Sequence, residues 1–488
     1  MASNEVISKK TIISSFVWKI MERVFSQGIN LLVQIVLARL LMPEDFGGLA
    51  ILLVVINYAS IFVQSGLGTA IVQKENLEKK DVSTLLVVSL SFAFVFYIVL
   101  FVISPMLSSY YGMPELKWAL RVLALTLFLN AINSIQTAVL SRGMHFKRLF
   151  FRTLVAVPIS GTVGIFLAYA GFGIWALVIH NLVNMMVIVA FMSIDKDMRY
   201  PLIFSVESAK QLYAFSWKIL ATSMITGAHD AVRTMVIGKK YDAESLAYYD
   251  KAYAYSGQII QVIYASISGV LLPTFSRMQN NLHELKRMAR RAVKLSAFVM
   301  FPVLLGIAAV AEPLVELGLG EKWMKSAPFL VVFCVLRIPG CIMTVDKQVY
   351  YALGRSGIAL KYETVLLVFN ISMLLVTMQY GTMWIALGAA AVEFIGLGVI
   401  CCVSARLYSY SLKERIRDVG KPLILSLIMF VVVRMLGELH IHFLLKLLLQ
   451  IVGGILVYLV MNMLSRDENL RCILAVLRSR RNVTKREY

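Results

Sequence analysis

Long apolar runs recur along the whole of this chain, and they constrain its fold more than any other feature. About fourteen runs stay predominantly apolar for about 20 residues, the length of helix that crosses the hydrocarbon core of a bilayer. Hydrophobic residues make up 59% of the 488 residues and charged residues 16%. A soluble domain is about half apolar and about a quarter charged. The sequence therefore predicts an all-α integral membrane protein with about fourteen transmembrane helices.

The charges between these runs predict the orientation of the chain in the membrane. Spans are expected to start near the following residues: Ile13, Phe46, Thr84, Glu115, Phe151, Gly173, Trp217, Glu244, Val293, Ala327, Ile358, Met383, Pro422 and Phe443. About 32 Lys and Arg lie in one set of loops and about six in the other, and the positive-inside rule makes the basic set cytoplasmic. We expect a multi-pass protein of the plasma (inner) membrane with both termini in the cytoplasm. The net charge of +20 then indicates topology, not binding to nucleic acid.

The sequence offers no sign of catalysis or of a bound metal. It contains no Walker A, G-x-S-x-G or H-E-x-x-H motif. The cysteines show no ligand spacing and are expected to be reduced thiols: Cys334, Cys341, Cys401, Cys402 and Cys472. We therefore expect a protein that is not an enzyme and that needs neither a cofactor nor a metal.

An internal repeat divides the chain. The segment Phe16-Val-Trp-Lys-Ile20 returns about 200 residues later as Phe215-Ser-Trp-Lys-Ile219, and Gly173-Ile-Trp-Ala-Leu177 is echoed from Gly381 onward. Parallel repeats of this kind occur in transporters that rock around a central site. The predicted domains are an N-terminal six-helix lobe at 1–200, a C-terminal six-helix lobe at 201–410, a final helix pair at 411–465 and a basic cytoplasmic tail at 466–488.

Three motifs resemble a known family. The stretch Leu37-Ala-Arg-Leu-Leu-Met-Pro-Glu-Asp-Phe-Gly-Gly-Leu49, the segment from Gln64 to Gln73, and Gln136-Thr-Ala-Val-Leu-Ser-Arg-Gly-Met-His-Phe-Lys-Arg148 are similar to the polysaccharide transporter family. These are Wzx-type flippases for lipid-linked oligosaccharides, within the multidrug/oligosaccharidyl-lipid/polysaccharide exporter superfamily. The resemblance implies two six-helix lobes plus a helix pair. It also implies that an undecaprenyl-pyrophosphate-linked glycan moves from the cytoplasmic to the outer leaflet, for O-antigen, capsule or exopolysaccharide synthesis.

Two polar stripes are the candidate substrate site. In the first span Lys19, Arg23, Gln27, Asn30 and Gln34 fall within an arc of about 80° on one helix face. In the seventh span a similar arc holds Lys218, Thr222, Thr226, His229 and Arg233. If these repeat-related stripes face each other, they line a cationic cleft suited to a pyrophosphate. Alternatively, Lys19 and Arg23 extend toward the interface beside Trp18.

Other charged residues are lesser candidates. Asp230 lies three residues before Arg233, as a counter-ion or as a proton or sodium site that couples transport to an ion gradient. Lys251 is placed near the outer mouth of the cleft, and Arg337 and Lys347 flank the break at Pro339-Gly340. The basic segment 280–294 is expected to lie on anionic membrane lipids, with gating as the alternative.

Several functions compete. Within the superfamily the alternatives are a lipid II flippase and a drug/cation antiporter, although an antiporter for cations should have an acidic cleft. A membrane polysaccharide polymerase would carry its catalytic residues in a large outer loop, and the predicted outer loops are about ten residues or fewer. A scaffold would not need polar stripes within helices. We expect a lipid-linked oligosaccharide as the substrate, and a polysaccharide polymerase and glycosyltransferases as candidate partners.

Overall fold

The protein is α-helical throughout the part that the structure describes. The computed structural model describes residues 9–64, 71, 77–195, 201, 203–439, 442–465, 467, 469 and 470, and it has no strand among them. The helices are α1 (Lys9–Leu40), α2 (Pro43–Gln64), α3 (Lys79–Tyr111), α4 (Glu115–Leu123), α5 (Thr126–Arg142), α6 (Phe146–Tyr169), α7 (Ile174–Ser193), α8 (Val206–Lys240), α9 (Ala243–Ser276), α10 (Leu282–Ala309), α11 (Ala311–Leu319), α12 (Ala327–Leu336), α13 (Ile338–Ala352), α14 (Ser356–Thr377), α15 (Thr382–Tyr408), α16 (Leu412–Leu436) and α17 (Phe443–Leu464), with a 3₁₀ helix at Glu321–Ser326 between α11 and α12. The predicted all-α membrane fold is confirmed.

Eleven segments of the described chain are long and apolar enough to cross a bilayer. Two of them consist of more than one helix: one of α4 and α5, and the other of the 3₁₀ helix, α12 and α13. All fourteen expected span starts lie within or next to a helix. The three left outside the eleven are in α1, α8 and α9, each of which has side chains outside the described residues, and the described apolar stretch of α1 is Phe25–Leu40. A total of fourteen spans therefore stays a prediction.

The first of two compact units comprises Met1–Asp250. Here α1 packs against α6, α6 against α7, α3 against α5, and α2 against α8. One apolar core cluster joins α3 to α5 through Leu85, Leu86 and Ile135. Helix α8 thus belongs to the first unit by its contacts, whereas the repeat predicts a lobe boundary at residue 200. The lobe boundary comes from the internal sequence repeat and not from contacts, so it stays a prediction.

The second compact unit comprises Lys251–Tyr488. Helix α10 packs against α16, α14 against α15, and α16 against α17. Polar contacts tie the final helix pair to the rest of this unit, since the Tyr458 hydroxyl donates to the Phe298 carbonyl at 2.9 Å. Arg434 of α16 pairs with Glu312 of α11 at 3.0 Å. The pair α16–α17 is therefore built into the second unit.

The second sequence echo has a local structural reason. Gly173 and Gly381 immediately precede α7 and α15, with φ of 52° and 125°. Only glycine adopts such positive φ values without strain, because other residues carry a Cβ. The ψ values of −129° at Gly173 and 162° at Gly381 differ, so the two turns are not identical, but each places a glycine directly before its helix.

The topology can be tested by cysteine labelling. In a cysteine-free background, single cysteines at Glu44, Gly112, Gly320 and Glu438 are expected to react with a membrane-impermeant maleimide in intact cells. Cysteines at Arg148 and Arg290 should react only after the membrane is opened, because basic loops remain in the cytoplasm. Labelling of either arginine position in intact cells would overturn the predicted orientation.

Candidate functional site

Arg233 is a deeply buried cation among the predicted site residues. It lies in α8 with 5% of its surface exposed. Its Nη1 lies 2.8 Å from Oδ1 of Asp230, and its Nη2 lies 3.9 Å from Oδ1 of Asp250 at the start of α9. Its guanidinium carbon is 5.5 Å from the centre of the Tyr249 ring. These contacts hold Arg233 at the junction of α8 and α9.

Asp230 and His229 complete this cluster. Nδ1 of His229 lies 3.6 Å from Oδ1 of Asp230, whose side chain is 53% exposed. The spacing of three residues predicted the contact of Asp230 with Arg233, and that contact is present. A role of Asp230 in ion coupling stays a prediction.

The local charge balance changes what Arg233 can do. Two carboxylates, Asp230 and Asp250, compensate its positive charge, and sequence reasoning placed only the first beside it. A diphosphate would have to compete with both carboxylates for the guanidinium. Arg233 therefore has a structural ion-pair role, and its role in substrate recognition stays a prediction.

The structure describes only some of the side chains in the two predicted polar stripes of α1 and α8. Asn30 is half-buried in α1. The side chains of Lys19, Arg23 and Lys218 lie outside the part of the chain that the structure describes, so their predicted roles are untested. The cationic cleft as a whole stays a prediction.

The tryptophans of the repeated motif have different surroundings. In α1 the Trp18 ring lies 5.4 Å from that of Phe150 and 6.1 Å from that of Phe151, both in α6. Trp217 in α8 is 54% exposed. In its first copy the motif therefore has a packing function, whatever its lysine does.

Arg337 fills the predicted helix break. Helix α12 ends at Leu336 and α13 begins at Ile338, which places Arg337 at the junction. Its Nε donates to Oγ of Ser256 and its Nη2 to the carbonyl of Tyr253, each at 2.9 Å. The predicted break is confirmed, and here the arginine fastens it to α9.

Lys347 and Lys251 are held by neighbouring side chains. Lys347 forms an ion pair with Glu363 of α14, and its Nζ lies 5.5 Å from the centre of the Tyr362 ring. Nζ of Lys251 lies 5.8 Å from the ring centre of Tyr255. These contacts account for both lysines structurally, and a substrate role for either stays a prediction.

A buried ion pair in the second unit was missed by sequence reasoning. Nη1 and Nη2 of Arg415 donate to the two carboxylate oxygens of Asp346 at 2.6 and 2.8 Å. The two side chains are 2% and 0% exposed. Hydroxyl groups of Ser404 and Tyr408 also donate to Asp346. The network joins α13, α15 and α16.

The position of Arg415 corrects the count of loop charges. The charge pattern places Arg415 among the Lys and Arg of the cytoplasmic loops, but α16 begins at Leu412, so Arg415 lies in the first turn of that helix and is buried in the second unit. The signal for this was weak. Tyr408 and Ser404 share a helix face at a spacing of four residues, and Asp346 is an acid in an apolar run.

Cysteines and metal-binding side chains form no site in the described residues. Cys334, Cys341 and Cys401 are buried free thiols, and Cys402 is an exposed one. No group of three or more His, Cys, Asp or Glu side chains in this part of the chain could hold a metal ion.

Comparison with known proteins identifies the family. Residues 36–328 match the model of a family described as Polysaccharide biosynthesis protein, and this range covers more than half of the chain. The chain belongs to this family.

Curated relatives agree with this assignment. The chain is 23% identical over 493 residues to the succinoglycan biosynthesis transport protein ExoT of Rhizobium meliloti (strain 1021), covering 97% of each chain. It is 24% identical over 440 residues to the lipopolysaccharide biosynthesis protein WzxC of Escherichia coli (strain K12), covering 88% of each. The predicted resemblance to polysaccharide transporters is confirmed.

Solved structures show the same fold. The inward closed conformation of the lipid II flippase MurJ superposes with a TM-score of 0.75 at 16% identity, covering 93% of this chain and 99% of that one. An inward-facing multidrug resistance MATE transporter of the MOP superfamily superposes with a TM-score of 0.61 at 15% identity, covering 81% and 95%. This member of the polysaccharide biosynthesis family is a multi-pass membrane protein with the fold of these transporters.

Proposed function

We propose that this protein is a flippase that moves an undecaprenyl-pyrophosphate-linked oligosaccharide from the cytoplasmic to the outer leaflet by alternating access. One observation carries the proposal: a chain of the polysaccharide biosynthesis family has, over 93% of its length, the fold of a lipid II flippase. The fold supports a lipid-linked substrate, because the solved structure with this fold is a flippase for lipid II. The family supports a surface polysaccharide as the glycan that the lipid carries. Glycosyltransferases would supply the substrate, and a polymerase would consume it.

Cations within the helices support a pyrophosphate-bearing substrate. Charged residues within spans are costly and usually face the interior of the helix bundle or a water-filled cavity. Lys19 and Lys218 occupy repeat-related positions, Arg23 lies one helical turn after Lys19, and Arg233 is buried. Arginine and lysine are the common partners of phosphoryl groups. An antiporter for organic cations would be expected to present acids there instead.

Deleting the gene in its own host tests the proposal. We expect surface polysaccharide to disappear and the lipid-linked repeat unit to accumulate several-fold, because synthesis continues while export stops. The accumulated glycan should resist periodate in intact spheroplasts and become sensitive after detergent is added. Re-expression of the full chain should restore the polymer.

The same measurements separate the alternatives. Glycan that accumulates in a periodate-sensitive form on intact spheroplasts would indicate a polymerase and refute the flippase. Growth restored to a strain depleted of its lipid II flippase would assign the protein to lipid II instead. An unchanged level of lipid-linked glycan and of surface polymer would exclude both kinds of flippase.

A further inference from the structure

The N-terminal part of α10 presents a basic face. Its six basic residues fall within an arc of about 140° at 100° per residue: His283, Lys286, Arg287, Arg290, Arg291 and Lys294. The opposite face is buried in the second unit through Leu285, Ala289 and Val293, each 0% exposed. The basic side chains therefore project from a helix whose other side is anchored.

All six basic side chains line one cavity of about 870 Å³. Glu414 of α16 is the one acid among its described lining residues, and Glu284 beside the wall pairs with Arg287 at 2.9 Å. Arg287 and Arg291 are exposed side chains of this wall. Clustered arginine and lysine side chains of this kind bind phosphoryl oxygens.

Two acids of α16, one buried and one half-buried, form ion pairs with basic side chains of the cavity wall. Nε and Nη2 of Arg290 donate to the two carboxylate oxygens of Asp418 at 2.8 and 2.9 Å, and Asp418 is only 1% exposed. Glu414 pairs with Lys286 at 2.9 Å and with Nη1 of Arg290 at 3.1 Å. Lys294 lies 3.4 Å from Asp418. The cavity is thus a built structure, and binding would need little ordering of these side chains.

The cavity also adjoins apolar surface. Leu295, which is 44% exposed, lines it, and α10 continues from there as a helix apolar enough to cross a bilayer. A ligand with an anionic head and an apolar tail would satisfy both kinds of surface at once.

We propose that this cavity binds a lipid headgroup that carries two phosphoryl groups. Five lysines and arginines line the wall, and the three acids Glu414, Asp418 and Glu284 compensate only part of their charge. The remaining positive charge fits a headgroup with two phosphoryl groups. Cardiolipin and a polyprenyl diphosphate both have this chemistry. All the lining residues of the cavity belong to the second unit, whereas Arg233 belongs to the first, and binding at the cavity does not require flippase activity.

Native mass spectrometry of the detergent-solubilised full chain tests the site. Cardiolipin and farnesyl diphosphate are the probes. Phosphatidylcholine, with its zwitterionic headgroup, is the control for cardiolipin, and farnesol, which lacks the diphosphate, is the control for farnesyl diphosphate. We expect the double variant Arg287→Gln/Arg291→Gln to lose at least about tenfold in affinity for the bound probe, since both side chains contribute charge and hydrogen bonds to phosphate. The variant Lys361→Gln/Arg406→Gln removes two exposed cations of the same unit outside the cavity and should bind as the wild type does.

The probes distinguish the two lipid sources. Cardiolipin that farnesyl diphosphate does not displace would identify a membrane-lipid site, and displacement would identify a site for the diphosphate of a carrier lipid. Equal binding by the Arg287→Gln/Arg291→Gln variant and the wild type would overturn the proposal. Inorganic pyrophosphate that binds as tightly as either lipid would refute the role of the apolar surface.

Discussion

Replacing Asp346 by alanine is expected to destabilise the second unit by about 3–5 kcal/mol. The substitution leaves Arg415 as an uncompensated charge in a site where the two side chains are 0% and 2% exposed. It also removes the acceptor of the Ser404 and Tyr408 hydroxyls. Thermal unfolding of the detergent-solubilised protein, followed by size-exclusion chromatography, measures the loss.

Two further variants define the origin of this effect. The double variant Asp346→Leu/Arg415→Met removes both charges and should recover much of the lost stability, because neither ion is then left buried alone. Arg434→Ala breaks a pair whose members are 49% and 55% exposed, and it should cost less than about 1 kcal/mol. If Asp346→Ala unfolds at the wild-type temperature, the buried pair does not stabilise this unit.

Export of surface polysaccharide is expected to fall at least about tenfold in Arg233→Ala and in Arg23→Ala, at normal protein level. A hydrogen bond to a charged group contributes about 1.5–3 kcal/mol, and each variant removes such a partner from a pyrophosphate. The measurement is complementation of the deletion strain, with the membrane protein quantified in the same cells. Arg434→Ala serves as the matched arginine control and should export normally.

The carboxylates beside Arg233 allow its two roles to be separated. Arg233→Ala leaves Asp230 and Asp250 without this counter-charge, so part of any loss could arise from charge balance. The double variant Arg233→Ala/Asp230→Asn relieves that imbalance. Export that stays low in the double variant supports recognition by Arg233. Export restored by Asp230→Asn, or full export in both single variants, would leave the cationic cleft without support from these arginines.

Much of the architecture was predictable from the sequence because it depends on local properties of the chain. A helix that crosses a bilayer needs only a long apolar run, so all fourteen expected starts fall at helices. The break near Pro339 and the contact between Asp230 and Arg233 are likewise local, since proline position and a spacing of three residues can be read directly. The family was also predictable, because its motifs lie in continuous segments.

Tertiary structure alone decided how the charges are partnered. Asp346 and Arg415 are 69 residues apart, and Arg290 and Asp418 are 128 apart, so no spacing rule relates them. In sequence, Arg415 is one of several basic residues between two apolar runs, which indicates a loop. The start of α16 at Leu412 and its packing against α10 and α15 turn that residue inward. Hydropathy determines whether a segment enters the membrane, but burial of a charge depends on which other helix supplies its partner, and helix packing determines that.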